Sequence, residues 1–320
     1  MQGLRTLQLA LKNKSRAYPD RKDQRYVDER LLPTVKPSFS IDDTSTVFTI
    51  GSCFARNVEE VLAEAGVSVP TLGFSAPLEE APGRSNRILN QYNPGTMKQC
   101  VSVVHRQDID DLGLIERENG WQDLLLATGK LVTRERALER RVQIRNLYVG
   151  GLASADVVVI TLGLIECWYD KVSDLYLNVM PAPEVLKRDP DRYIFKRMGV
   201  DESVDLISKT IEGIFSFGIP KKIILIVSPV PLQTTFSDQD AVTANCFSKA
   251  VLRVCAEKIC SEYPQVDYFP SYEIVSSMGI HAMTPDNVHV RPGVVQSVIA
   301  HMMAHYGAPT MPQHAALGQA

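Results

Sequence analysis

Three runs of the chain leave little freedom about what it folds into. Residues 46–50, 156–162 and 222–227 are almost unbroken strings of β-branched and apolar side chains, and they stop at Gly51, Gly163 and Ser228-Pro229. A strand wetted on one face alternates apolar with polar residues. A strand with no polar face needs cover on both sides, which is the situation of a parallel sheet between two helical layers. A shorter candidate strand at 266–269 ends at Pro270. Helical spacing after Gly51 (Phe54, Val58, Val61, Leu62, Ala65, then Gly66) predicts a helix, and further helices fit 97–105, 134–150, 202–217, 241–263 and 292–305. Strands alternating with helices imply an α/β chain with a doubly wound, mostly parallel sheet.

Two stretches depart from that alternation. Residues 1–44 are polar, basic and interrupted by Pro19, Pro33 and Pro37, which reads as an N-terminal surface arm without chemistry of its own. Residues from Trp168 to about 200 mix Pro181, Pro183 and Pro190 with charges and aromatics, which reads as a lid-like insertion. The expected organisation is an arm over 1–44, an α/β domain over 45–306 with the insertion at about 168–200, and a tail over 307–320.

Composition excludes more than it assigns. A net charge of -3 gives no long-range field that would draw nucleic acid. The longest apolar stretch is shorter than the roughly 20 residues a membrane-spanning helix needs, so no membrane insertion is expected. No continuous apolar export signal precedes the first strand, because Arg5, Lys12, Lys14 and Arg16 interrupt it. The six cysteines, at 53, 100, 167, 246, 255 and 260, lack the dense paired spacing of a disulfide scaffold, and a reducing, cytoplasmic setting is expected. No metal site is expected: His301 and His305 stand four apart without a third ligand, and His105, His281 and His314 have no partners in sequence. No nucleotide-binding or calcium-loop motif is present.

Ligands of open parallel sheets bind outside the carboxyl ends of the strands, so the turns after the strands are the candidate site. Gly51 allows a sharp turn, and Ser52 and Cys53 then lie at the start of a helix, where free N–H groups favour an anion and would acidify a thiol. The bland alternative is a helix-capping Ser52 beside a small buried Cys53. Asp286 and His289 stand three apart just before Pro292, so the carboxylate can orient an imidazole that takes a nucleophile's proton. Glu166 follows a buried strand and is read either as a substrate-facing acid or as a paired structural carboxylate. Trp168 is read as a stacking surface or as core.

The string Ile50-Gly51-Ser52-Cys53-Phe54-Ala55-Arg56-Asn57 resembles the signature of the GSCFA family, bacterial proteins similar to the SGNH (GDSL-type) hydrolases. Thr161-Leu162-Gly163-x-x-Glu166-x-Trp168, Val227-Ser228-Pro229-Val230-Pro231, Tyr268-Phe269-Pro270-Ser271-Tyr272-Glu273-Ile274 and Asp286-x-x-His289 resemble its later blocks in the same order, over about residues 40–305. The resemblance implies a three-layer α/β/α, flavodoxin-like fold with the nucleophile in the turn after the first strand. Laid over the Gly-Asp-Ser of SGNH enzymes, Cys53 takes the nucleophile's place, and Ser52 is the alternative. Gly163 corresponds to one oxyanion donor. Ile165 stands where a second donor, an Asn, would fall, and Asn93 is the candidate replacement, its other reading being a turn residue before Pro94. The activity this implies is acyl-ester hydrolysis or acyl transfer on a small-molecule or glycan substrate, without a resident cofactor. A coenzyme A thioester is one conceivable acyl donor. A non-catalytic glycan- or acyl-binding role is the alternative.

Overall fold

The computed structural model describes residues 3–105, 110–127, 130–218 and 220–307. The amino-terminal segment forms only local structure: helix α1 (Gly3–Lys12), with none of its residues buried, and a two-rung hairpin of β1 (Tyr26–Val27) and β2 (Arg30–Leu31). The hairpin is tied to the body where the Leu31 N–H donates to Ser277 Oγ at 2.9 Å. Helix α1 was not anticipated in the arm, although Leu4, Leu7 and Leu11 stand at helical spacing.

The body begins with β3 (Val47–Gly51) and α2 (Cys53–Glu64). Helix α3 (Pro94–Ser102) and an antiparallel hairpin of β4 (Leu114–Arg117) and β5 (Gly120–Asp123) lead to the long helix α4 (Arg134–Ser154) and to β6 (Val157–Leu162). Next come β7 (Glu166–Asp170), β8 (Leu175–Leu177), α5 (Pro183–Arg188) and β9 (Tyr193–Arg197). Helix α6 (Val200–Phe215), β10 (Lys222–Val227), α7 (Ala241–Glu262), β11 (Val266–Phe269), α8 (Ser271–Ser277) and α9 (Pro292–Tyr306) complete the order.

Strands β11, β10, β6 and β3 lie in that order and are parallel throughout, with Val47 opposite Val157 and Lys222 opposite the same residue on the other side. Alternate side chains enter different layers. Phe48, Ile50, Val158, Ile160, Ile223 and Leu225 pack with α3, α4, α6 and α7, whereas Val47, Val157, Val159, Ile224 and Ile226 pack with α2, α8 and α9. Both faces are therefore dry, which is why the strands carry no polar face. The architecture is a three-layer α/β/α sandwich.

The stretch after β6 is not irregular. β7, β8 and β9 form an antiparallel sheet in the order β8-β7-β9, with a small core of Leu175, Leu177, Ala182, Val185 and Tyr193 that also takes in Ile115 and Leu124. Its strands escape a reading by apolar runs because they are short and β7 and β9 carry charge at their ends. Asp170, wholly buried, is matched by Arg192 at 2.7 Å.

Helix α2 carries a buried ion pair whose other partners fix it against the sheet. Arg56 and Glu59, at 1% and 0% exposure, lie 2.5 Å apart. Glu59 also accepts from Thr71 Oγ1 (2.6 Å), Asn86 Nδ2 (2.8 Å) and Thr49 Oγ1. Two charges taken out of water persist only when paired with each other and with neighbouring polar groups. Arg56→Met should cost about 3–5 kcal/mol, because it strands the Glu59 carboxylate, and the double change Arg56→Met with Glu59→Met should recover most of it. Urea unfolding of the three proteins checks this; equal losses in the single and double variants would contradict it.

Candidate active site

The turn after β3 exists because position 51 has no side chain. Gly51 sits at φ 147°, and a Cβ there would fall 2.4 Å from the Thr161 carbonyl oxygen and 2.7 Å from Thr161 Cβ. Its own carbonyl accepts from the Gln91 N–H at 2.8 Å, which brings residues 90–93 alongside. Ser52 occupies the cap of α2 in extended conformation, but its hydroxyl does not cap. Ser52 Oγ is buried without a hydrogen-bond partner. Cys53, the first helical residue, remains half-buried.

Gly163 faces the same turn. The Leu162 carbonyl points toward β10, where it accepts from the Ser228 N–H at 2.8 Å. Carbonyl and N–H lie on opposite sides of a trans peptide, so the Gly163 N–H is directed the other way, toward β3 and Ser52. It has no acceptor among the described residues. A Cβ on Gly163 would lie 3.3 Å from Ser52 Cβ and 2.7 Å from the Tyr92 carbonyl oxygen. The predicted Gly163, Ser52 and Cys53 are thus brought together.

The surroundings of the turn are rich in unsatisfied polar atoms. Ser52 Oγ, Asn90 Oδ1, Gln91 Oε1 and Thr161 Oγ1 are all buried without partners. Folded proteins keep few such groups, since each costs about 1–3 kcal/mol. Of the four, the Ser52 hydroxyl is the one in the turn itself, and Gln91 lines a separate cavity with Gln99 and Cys100.

Electrostatics at Cys53 differ from the expectation of an acidified thiol. Burial pushes the thiol up, above its usual value. The Lys249 ammonium, the N–H groups of Cys53 and Phe54 at the start of α2, and Arg84 oppose this without reversing it. Desolvation outweighs the helix terminus here. Tyr92 lies within electrostatic reach of Cys53, its phenol pushed up mainly by burial, and it accepts a 3.3 Å hydrogen bond from Asn90 Nδ2.

Lys249 is the residue that reading the sequence missed. It is wholly buried on α7, and its Nζ donates to the Gly163 carbonyl at 2.8 Å. Burial holds its pKa down to about 7, with the nearby Cys53 acting in the opposite sense. One signal was available: Lys249 shares the inward helical stripe of Leu252 and Ala256. The neighbouring Ser248 Oγ accepts from the Ile165 N–H at 3.2 Å, so α7 holds the loop after β6 at two points.

Asp286 and His289 form the expected pair. Asp286 Oδ2 meets His289 Nδ1 at 2.6 Å, and Oδ1 accepts from Thr284 Oγ1 (2.6 Å) and from the N–H groups of Val288 (2.9 Å) and His289 (3.0 Å). These bonds, Thr284 first, hold the carboxyl well below the usual range. The bond fixes Nδ1 and leaves Nε2 outward on an imidazole that is 64% exposed. Among the described residues no hydrogen bond joins His289 to Ser52 or Cys53.

The remaining candidates do structural work. Asn93 caps α3, accepting from the Thr96 N–H at 3.0 Å, and its Nδ2 donates to the Leu177 carbonyl at 3.2 Å. That is the turn role; its amide is engaged at both ends. Glu166 accepts from Thr235 Oγ1 (2.8 Å) and the Phe236 N–H (3.3 Å), with Arg197 at 3.7 Å, and is a paired carboxylate tying down the loop after β10. Trp168 packs against Phe236 and Phe195, with ring centroids 5.4 and 6.2 Å away. Ser228 Oγ accepts from the Val230 N–H at 3.3 Å and shapes its own turn. His301 Nε2 lies 2.9 Å from the Pro33 carbonyl oxygen, and no metal-binding cluster occurs among the described residues.

The fold and this turn define an α/β protein with a small-residue elbow after its first core strand and an Asp-His loop before its last helix. The chain belongs to the GSCFA family, whose model matches residues 46–302. No curated protein matches it. Among solved structures it is similar to two variants of Axe2 from Geobacillus stearothermophilus, one described as an acetyl-xylooligosaccharide esterase and one as a catalytic mutant of an acetylxylan esterase. The first is 14% identical, with 85% of this chain and 98% of that chain covered and a TM-score of 0.34. The second is 14% identical, with 84% and 97% covered and a TM-score of 0.33.

The buried lysine has a measurable consequence. Unfolded, Lys249 titrates near 10.5, and folded near 7, so between those values the unfolded chain binds a proton that the folded one does not. Stability should therefore rise with pH across that window. Lys249→Met should lack this rise. Its melting temperature relative to the unsubstituted protein is highest near pH 7 and falls toward pH 10, whereas parallel curves would show that the amine keeps an ordinary pKa.

Proposed function

We propose that this protein is an acyl-ester hydrolase or acyltransferase acting on O-acyl groups of a carbohydrate or glycan precursor, with Cys53 as nucleophile. The observation that carries the reading is the meeting at one turn of the half-buried Cys53, the Gly163 N–H, which has no acceptor among the described residues, and the buried, unpartnered Ser52 hydroxyl. Cys53 is preferred over Ser52 because the serine hydroxyl is shut away from solvent.

In this reading the Cys53 sulfur attacks the ester carbonyl carbon while His289 Nε2 takes the thiol proton and passes it to the departing alkoxide. Asp286 holds the imidazole in the required tautomer and stabilises its cationic form. The Gly163 N–H and the first N–H groups of α2 receive the oxyanion. Water, or an acceptor hydroxyl in a transferase, then releases the acyl group from the thioester; a coenzyme A thioester would serve equally as donor. The mechanism requires His289 to reach Cys53 when substrate is bound, and its exposed loop position leaves it room to do so.

The raised thiol favours a second reading at lower pH, in which the cleft binds acylated glycans without turning them over. One set of measurements separates the two. Turnover of p-nitrophenyl acetate or an acetylated sugar should fall by about 10²–10⁴ in Cys53→Ala and in His289→Ala and persist in Ser52→Ala. An unchanged rate in the first two variants would end the catalytic account. With free protein, alkylation of Cys53 by iodoacetamide should be slow at pH 7 and rise steeply only in alkaline solution, since burial holds the folded thiol above its usual value. Full reactivity at pH 7 would contradict the desolvated thiol.

A further inference from the structure

Helix α1 presents an apolar stripe that none of the described residues covers. Leu4, Leu7 and Leu11 lie on one side at spacings of three and four and are 70%, 52% and 60% exposed. Isolated helices shorter than about 12–15 residues are marginal in water. This one has ten residues and no buried side chain to hold it.

The charge around it is one-sided. Arg5 and Lys12 flank the stripe, and Lys14, Arg16, Arg21 and Lys22 follow it, all exposed. Six of the chain's 34 basic residues, but only one of its 37 acidic residues (Asp20), lie in residues 3–22, so this segment carries +5 and the rest of the chain -8. The helix is also moored. Ser15 Oγ meets Thr34 Oγ1 at 2.8 Å, and the Arg25 guanidinium donates to the carbonyls of Ser15 (3.1 Å) and Ala17 (2.7 Å), which ties the end of the segment to the hairpin that docks on α8.

We propose that α1 lies in the interface of an anionic membrane, with its leucines in the headgroup boundary and its cations on acidic lipid headgroups. A short helix of high amphipathicity, low net hydrophobicity and a basic polar side binds that surface and does not span it. The leucine stripe selects lipid over nucleic acid, which offers the cations phosphate but gives leucine no apolar phase. The negatively charged body is repelled by the same surface, so the protein stands off the membrane on its amino-terminal arm. This placement does not depend on the catalytic reading.

The full chain should co-sediment with vesicles containing phosphatidylglycerol, stay in the supernatant with phosphatidylcholine alone, and be released by high salt. Lys12→Ala with Lys14→Ala should lower partitioning about 25-fold, at roughly fivefold per cation removed. Leu7→Glu with Leu11→Glu should abolish it. Because α1 has no buried residue and Lys14 is exposed, both double variants should keep the parent's melting temperature. The proposal is overturned if the unsubstituted protein ignores both vesicle types, or if the leucine variant binds as well as the parent. It is also overturned if light scattering without lipid shows a dimer that the leucine substitutions split, since a second copy would then be what covers the helix.

Discussion

The close approach of two strands at Gly51 and Thr161 sets the rest of the site. With a glycine Cα pressed against the Thr161 backbone, β3 can end directly beside β6 and hand over to α2 within one residue. Any side chain at position 51 would part the two strands. The same absence of a side chain at Gly163 lets the Tyr92 carbonyl and Ser52 each close in on the end of β6. Two glycines, one ending β3 and one just after β6, thereby bring Cys53 and the Gly163 N–H to the carboxyl edge of the sheet, where open α/β folds place their ligands.

That arrangement is held from both sides. On one side of the sheet the buried Arg56–Glu59 pair and its hydroxyl and amide partners lock α2. On the other, Ser248 and Lys249 of α7 grip the loop after β6. Burying a lysine to do so is costly, because its charged form must leave water for a single carbonyl partner. A structural clamp alone would not require an amine. Its place in the field of Cys53 links the clamp to the thiol: the thiolate and the ammonium stabilise each other.

The sheet was legible because its strands are dry on both faces, so Val157 to Leu162 reads as a strand without knowledge of its neighbours. The Asp286–His289 pair was legible because both residues belong to one short turn whose local hydrogen bonds suffice to form it. What escaped depends on contacts distant in sequence. The β7–β9 sheet has short strands and buries Asp170 against Arg192, so no apolar run announces it. Lys249 lies 86 residues from the carbonyl it holds. Asn93 offered a free amide until Leu177, 84 residues away, was seen to accept from it. The thiol's direction of shift was misjudged for the same reason: the helix start is visible in sequence, whereas the burial that outweighs it is a property of the packed fold.

The central claim is that Cys53 carries the acyl group. Brief incubation with an activated acetyl ester, acid quenching and peptide fragmentation by mass spectrometry tests it directly. The account predicts one acetyl group on the Cys53 sulfur, lost on treatment with neutral hydroxylamine and absent from Cys53→Ala. Acetyl on the Ser52 oxygen, or an unmodified turn in a protein that hydrolyses the ester, would contradict it.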